Sequence, residues 1–89
     1  MDYEEQINRF IGMQIRGIRL EKGWTQEKLA EEADIAQKHL SQVERGKIST
    51  NTTYLFKISA GLGLTNPLDL YKTAAQEVYP SMKKKETKE

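Results

Sequence analysis

Four neighbouring polar side chains between residues 37 and 42 carry groups that can hydrogen-bond to base edges. Gln37 and Gln42 each offer an amide, while Lys38 adds an ammonium group and Ser41 a hydroxyl. In the major groove glutamine can pair with N6 and N7 of adenine, and lysine can donate to O6 and N7 of guanine. A merely solvated face in a chain with 30% charged residues would more often carry Glu and Lys, so this face favours base contacts.

Apolar residues around this face predict two short helices joined by a tight turn. Leu29 and Ala33 are four residues apart on the first helix, and Leu40 and Val43 are three apart on the second. Asp34 falls in the turn, where a left-handed backbone is expected and Asp tolerates it better than most residues. The segment is therefore predicted to be a helix-turn-helix unit of the kind that enters the major groove.

Candidate phosphate contacts flank this unit on both sides. Thr25 can cap the first helix of the motif, and the free N–H groups and helix dipole at Gln26 favour an anion there. Arg45, Lys47 and Asn51 follow the second helix and can hold the phosphate backbone on the other side. These five residues are the predicted phosphate contacts.

The stretch QEKLAEEADIAQKHLSQVER, residues 26–45, resembles the helix-turn-helix of the Cro/cI-type (xenobiotic-response-element) repressors. The segments IGMQIRGIRLEKGWTQEKLA, VERGKIS and TTYLFKISAGLGL extend the resemblance to about residues 11–70. It implies a lambda-repressor-like DNA-binding fold with residues 36–45 as the recognition helix. Two positions depart from the family pattern: Asp34 replaces the usual turn glycine, and Ala36 replaces a capping residue.

The resemblance also assigns roles to individual residues. It implies that the polar positions of the recognition helix contact bases, and that Gln26 touches a phosphate and braces Gln37. It implies a pair between Arg19 and Glu44 that ties the first helix of the chain to the end of the recognition helix. Such a pair fixes an orientation more surely than it adds stability. Restriction–modification controller proteins and small phage repressors are both similar, and the sequence does not choose between them.

Periodicity over the whole chain predicts an all-α bundle of five helices. Isoleucines at spacings of four, four and three indicate a first helix over about residues 7–22. Residues 52–61 form the predicted fourth helix, and a fifth starts at Pro67 and is ended by Pro80. The DNA-binding domain is expected to cover residues 1–79, with a loose N-terminus over residues 1–6 and a disordered basic tail over residues 80–89.

Length and composition narrow the class of protein further. At 89 residues and without cysteine, the chain is expected to be one small domain of the reducing cytoplasm, with no membrane span. The net charge is only +1, so DNA affinity must come from charge clustered on one face.

No catalytic, metal or cofactor site is predicted. His39 is the single histidine, so a metal site is improbable, and a position at the surface or groove edge is its ordinary interpretation. Adjacent carboxylates such as Glu31 and Glu32 point apart on a helix and make no acid–base pair. The chain is therefore expected not to be an enzyme.

A homodimer is predicted because one recognition helix contacts too few base pairs for tight specific binding. Leu68, Tyr71, Val78 and Tyr79 on the fifth helix form the predicted interface, and the DNA site is then an inverted repeat. The alternative is that these residues only cover the core of the monomer.

Two functions remain open at this point. The first is a sequence-specific repressor or autoregulator that binds double-stranded DNA. The second is a protein-interaction module, such as an antitoxin or adaptor, in which DNA binding is secondary. The near-neutral net charge of the chain is compatible with this alternative.

Overall fold

Residues 2–87 are described by a computed structural model, and within them the chain forms six α-helices, one 3₁₀ helix and no strand. The elements in chain order are α1 (Tyr3–Glu21), α2 (Gln26–Ala33), α3 (Gln37–Glu44), α4 (Thr52–Leu62), the 3₁₀ helix (Pro67–Tyr71), α5 (Lys72–Glu77) and α6 (Tyr79–Thr87). The predicted all-α class is confirmed. No helix in this part of the chain is both long and apolar enough to cross a membrane.

The first helix begins at Tyr3, earlier than the predicted start at Ile7. Asp2 caps it by accepting a hydrogen bond of 3.0 Å from the backbone N–H of Glu4. Acidic residues in the first turn also suit the positive end of the helix dipole. The prediction of a loose N-terminus is therefore wrong for residues 2–6, and Met1 lies outside the described residues.

The two motif helices form as the sequence predicted because their boundaries are set locally. Thr25 caps α2 through a 3.0 Å bond from the N–H of Lys28 to its hydroxyl. Asp34 has a left-handed backbone, with φ 57° and ψ 51°, and turns the chain towards α3. Ala36 begins α3 without a side-chain cap. The apolar side chains buried in the core include Ile11, Ile15, Leu29, Ala30, Ala33, Leu40, Val43, Leu55, Ile58, Leu62, Leu70, Ala74 and Val78.

Close contact between α1 and the recognition helix α3 depends on Gly12. A Cβ atom at this position would lie 2.4 Å from the carbonyl oxygen of Val43 and 2.6 Å from that of Glu44. These distances are far below van der Waals contact, so only glycine permits the observed crossing. Gly12 therefore helps to set the position of α3 against α1.

The C-terminal part of the chain differs from the prediction of one helix followed by a disordered tail. A 3₁₀ helix begins at Pro67, α5 follows it, and α6 continues to Thr87. Pro80 does not end the helical structure, because it occupies the first turn of α6, where proline costs no intrahelical hydrogen bond. Lys88 and Glu89, the last residues of the predicted tail, lie outside the described residues.

Candidate nucleic-acid interface

The outer face of α3 presents the four predicted base-contacting side chains. Gln37 and Lys38 are exposed at the N-terminal end of the helix, and Ser41 and Gln42 are half-buried one turn further on. The opposite face is fixed in the core by Leu40, which is fully buried. This arrangement leaves the end of α3 that carries Gln37 and Lys38 open to a ligand.

A buried ion pair fixes the other end of α3, between Arg19 of α1 and Glu44. The guanidinium Nε and Nη2 donate to the two carboxylate oxygens at 2.8 and 2.9 Å, and Nη1 donates to the backbone oxygen of Trp24 at 2.7 Å. The two side chains are only 8% and 1% exposed. The pair implied by the resemblance is thus present, and its bidentate geometry holds α3 at one angle to α1.

Gln26, at the start of α2, takes part in the same network. Its amide nitrogen donates to Oε1 of Glu44 at 3.0 Å. The side-chain amide of Gln26 is therefore bonded to Glu44, whereas the resemblance implied that Gln26 braces Gln37. Oε1 of Glu44 also accepts a hydrogen bond from Nη2 of Arg19. A carboxylate oxygen has two lone pairs, so the same atom can accept from the amide at the start of α2 as well. Thr25 lies beside it, exposed, with its hydroxyl oxygen engaged as the α2 cap.

The remaining predicted phosphate contacts lie on the loop after α3 and at the start of α4. Arg45 and Lys47 are exposed, and the left-handed Gly46 between them reverses the chain. Asn51 is exposed and caps α4 by accepting a 2.8 Å bond from the N–H of Tyr54. Its side-chain NH₂ group is not used by this cap, so it can donate to an anion.

Arg45 and Lys47 border a polar cleft between this loop and the first turns of α1. Arg9 contributes a third cation to its wall, and Asp2, Glu4 and Glu5 contribute negative charge. The hydroxyl of Ser49 lies 2.8 Å from a Glu4 carboxylate oxygen and 3.0 Å from the Asn8 amide oxygen, which ties the loop to α1. These partners are more than forty residues apart in sequence, so no local pattern pointed to the contact.

His39 makes contacts within the protein beyond the surface or groove-edge position that was expected for it. Its ring is half-buried and lies against Tyr54 of α4, with ring centroids 4.4 Å apart and planes at 34°. Its Nε2 atom is 2.9 Å from the hydroxyl oxygen of Thr50. Sequence analysis missed this contact between the recognition helix and the loop that leads into α4.

The four predicted dimer residues separate into two groups. Leu68 and Tyr79 are exposed by 59% and 58%, and Tyr71 is half-buried. Val78 is only 1% exposed, so its assignment to a dimer interface is wrong. Val78 covers the core of the monomer, as the alternative expected, because it lies one helical turn after the buried Ala74, to whose carbonyl oxygen its N–H donates.

Among the side chains that the structure describes, those of residues 2–83, no group of three or more His, Asp or Glu could hold a metal ion. Of the side-chain polar atoms in the same part of the chain, the Ser59 hydroxyl is the one that is buried without a hydrogen-bond partner. It lies in α4, on the side that faces the core. Neither feature adds a chemical site to the exposed polar face of α3.

Comparison with known proteins gives matches that cover the motif and its flanking helices. The family model described as "Helix-turn-helix" matches residues 15–70. The HTH-type transcriptional regulator SutR of Escherichia coli (strain K12) is 30% identical over 78 residues, which are 88% of this chain and 43% of SutR. The chain thus spans less than half the length of that relative.

Restriction–modification controller proteins are also similar to the chain. Control protein C.BamHI of Bacillus amyloliquefaciens is 40% identical over 65 residues, which cover 72% of this chain and 79% of C.BamHI. The crystal structure of the restriction-modification controller protein C.AhdI from Aeromonas hydrophila superposes with a TM-score of 0.69 at 26% identity. That superposition covers 72% of this chain and 96% of C.AhdI.

Proposed function

This chain belongs to the helix-turn-helix family of transcriptional regulators, and we propose that it binds duplex DNA sequence-specifically as a repressor or autoregulator. In this proposal α3 lies in the major groove with its N-terminal end towards the base edges. Binding to chromosomal DNA also requires the protein to reside in the cytoplasm, which agrees with a sequence free of cysteine.

The observation that carries the proposal is the exposed pair Gln37 and Lys38 at the open end of α3. The other end of that helix is held by the buried Arg19–Glu44 ion pair, so the polar face is presented at a fixed angle. Hydrogen bonds to base edges need donors and acceptors positioned within a few tenths of an ångström. A rigid helix with an amide and an ammonium group at its free end meets this requirement.

The phosphate contacts in this proposal lie on both sides of α3. Gln26 and the free N–H groups at the start of α2 bind one phosphate, with Thr25 beside them. Arg45, Lys47 and Asn51 bind the backbone on the other side. Phosphate contacts of this kind position the protein on the duplex without reading its sequence.

Replacing Gln37 with alanine should separate base reading from general affinity. On the preferred site, found by selection from a random DNA pool, Gln37→Ala is expected to cost about 1–3 kcal/mol of binding free energy. On random duplex DNA of the same length it should cost almost nothing, because only base contacts depend on sequence. Fluorescence anisotropy on both duplexes, at several salt concentrations, measures the two losses.

Lys47→Ala is the matched control, because Lys47 is also exposed but is assigned to a phosphate. It should weaken binding to both duplexes alike and lower the slope of log K against log salt by about one. Equal losses for Gln37→Ala on both duplexes would remove Gln37 from the base contacts. Failure of the wild-type protein to shift any duplex at low salt would favour the protein-interaction module instead.

We also propose that the protein binds DNA as a homodimer on an inverted repeat. Ile7, Tyr71, Ala75, Tyr79 and Met82 line an apolar groove between the start of α1 and the C-terminal helices. Apolar surface of this kind is suited to a second copy, since one recognition helix alone reads too few base pairs. Half-sites about one helical turn apart would then match the two recognition helices.

Tyr79→Asp is expected to yield a folded monomer that binds half-sites weakly. The aspartate would place a charge in the proposed contact, and the 58% exposure of Tyr79 means that the fold does not depend on its ring. Sedimentation equilibrium measures the change. Phe56→Asp alters an aromatic residue that is 51% exposed on α4 and should leave the dimer intact. A dimer that survives the first change, or dissociates with the second, would place the interface elsewhere.

A further inference from the structure

The N-terminal end of α3 carries Gln37 and Lys38 but has no side-chain cap of its own. Ala36 begins the helix and offers no hydrogen bond from its side chain to the first N–H groups. These groups lack intrahelical partners, so an uncapped helix end tends to fray. The buried Arg19–Glu44 pair lies at the opposite end of the helix. A fixed position for Gln37 and Lys38 therefore needs support from another part of the fold.

Two residues of α4 contact the turn from which α3 starts. The ammonium group of Lys57 donates to the backbone oxygen of Asp34 at 3.4 Å and lies 3.9 Å from its carboxylate. One turn further along α4, a Cβ atom at Gly61 would lie 2.9 Å from the backbone nitrogen of Ala33. Ala33 is the last residue of α2, and Asp34 is its left-handed C-cap. The packing of α4 thus holds the backbone where the chain turns towards α3.

A third residue of α4 contacts the recognition helix itself. The ring of Tyr54 lies against the ring of His39 in the first turn of α3, with centroids 4.4 Å apart and both side chains half-buried. The ammonium group of Lys57 lies 5.7 Å from the centre of the Tyr54 ring, within the range of a cation–π contact. Tyr54, Lys57 and Gly61 are spaced by three and four residues, so they share one face of α4.

We propose that Tyr54 and Lys57 are positioning residues for base reading, which fix the N-terminal end of α3 and with it Gln37 and Lys38. The inference rests on the proposed function, since it concerns the same recognition helix. The buried ion pair holds one end of this helix, and α4 holds the other. Attachment at both ends sets the angle of the helix, and base contacts depend on that angle because hydrogen bonds are short and directional.

Tyr54→Leu removes the ring contact with His39 and keeps an apolar side chain. It should lower the ratio of the affinities for the preferred and the random duplex about three- to tenfold, which is part of the discrimination that one base contact provides. Tyr54→Phe keeps the ring and should keep the wild-type ratio. Fluorescence anisotropy of the full chain on both duplexes measures the ratio, and urea denaturation establishes that each variant is folded under the assay conditions.

Lys57→Met removes the donor to Asp34 together with a positive charge. Loss of charge alone weakens binding to every duplex alike, whereas a displaced α3 lowers the ratio of the two affinities. We expect the ratio to fall about two- to fivefold, because a partly exposed contact contributes less than a buried one. Lys57→Arg keeps the charge and the donor and should restore the ratio.

Lys72→Met is the matched control for the loss of a lysine. Lys72 lies 3.6 Å from a carboxylate oxygen of Asp69, so its removal also breaks a surface ion pair. Because α5 carries this lysine and α4 carries Lys57, the change should leave the ratio of the two affinities as in the wild type.

A second measurement needs no DNA. Amide hydrogen exchange, followed by NMR on the free protein, reports local opening of a helix. The Leu40 amide donates to the oxygen of Ala36 at 3.1 Å, and the Arg45 amide donates to the oxygen of Ser41 at 3.2 Å. In Tyr54→Leu and in Lys57→Met the Leu40 amide should exchange faster than in the wild type. The Arg45 amide, at the end of α3 held by the ion pair, should exchange at the wild-type rate.

An unchanged ratio for Tyr54→Leu, or unchanged exchange at Leu40, would overturn the inference while sequence-specific DNA binding stands. So would an equal fall in the ratio for Tyr54→Phe or for Lys72→Met, since the loss would then not come from the contacts of α4 with α3 and its turn. If the wild-type chain does not distinguish the preferred duplex from random DNA, the proposed function fails and the inference fails with it.

Discussion

Glu44→Gln is expected to lower the free energy of unfolding by about 3–5 kcal/mol, because it leaves the Arg19 guanidinium buried without its counter-charge. Arg19 and Glu44 are 8% and 1% exposed in their side chains, so solvent cannot replace the lost carboxylate. The amide keeps the shape of the side chain, and the loss therefore reports charge and not volume. Urea denaturation followed by circular dichroism measures the change.

Glu32→Gln provides the matched control on the surface. Glu32 pairs with Lys28 across one turn of α2 at 3.1 Å, and both side chains are more than 40% exposed. Exposed pairs of this spacing contribute only about 0.3–0.5 kcal/mol. A loss at Glu44 no larger than the loss at Glu32 would mean that the buried pair does not hold the two helices together.

Removing both charges should cost less than removing one. Arg19→Met combined with Glu44→Leu replaces the pair by apolar side chains and leaves no buried charge. We expect this double variant to be more stable than Glu44→Gln and to bind DNA more weakly than the wild type. The DNA loss would follow from the freer orientation of α3, which the bidentate pair fixes in the wild type.

Gly12→Ala is expected to destabilise the fold by about 1–3 kcal/mol. It should also weaken specific DNA binding relative to the wild type. The new Cβ atom would lie 2.4 Å from the Val43 oxygen and 2.6 Å from the Glu44 oxygen. Both oxygens belong to the backbone of α3, so relief requires the whole recognition helix to move away from α1. Thermal unfolding measures the first effect, and the ratio of specific to random DNA affinity measures the second.

Gly17→Ala is the control for this change, since it lies on the same helix. No atom outside the helix lies within 4 Å of a Cβ at Gly17, and alanine favours a helix by about 0.8–1.0 kcal/mol over glycine. Gly17→Ala should therefore stabilise the protein and leave DNA binding unchanged. If Gly12→Ala behaves in the same way, α1 and α3 are not in the close contact described above.

Sequence alone determined the parts of this fold that depend on neighbours along the chain. The cap at Thr25, the left-handed turn at Asp34 and the apolar faces of α2 and α3 were all predicted. Each follows from the geometry of a few consecutive residues or from the 3.6-residue helical period. Such features need no knowledge of what lies opposite in space.

The errors lie at the ends of the chain, where local signals were interpreted too strictly. Pro80 was predicted to end the helical structure, although proline is equally suited to the first turn of a new helix. Val78 was placed on a dimer surface, although helical spacing alone does not distinguish a core position from an interface. The acidic start of α1 was predicted to be loose because its cap, Asp2, was overlooked.

Tertiary structure decided the contacts that join residues far apart in sequence. Gly12 meets the backbone of α3, Gln26 bonds Glu44, and His39 meets Thr50 and Tyr54 only once the helices have packed. No periodicity encodes these pairings, because each depends on the distance and angle between two helices. Side-chain types therefore determined that this chain carries a polar face on a helix-turn-helix motif, and helix packing determined the angle at which that face is held.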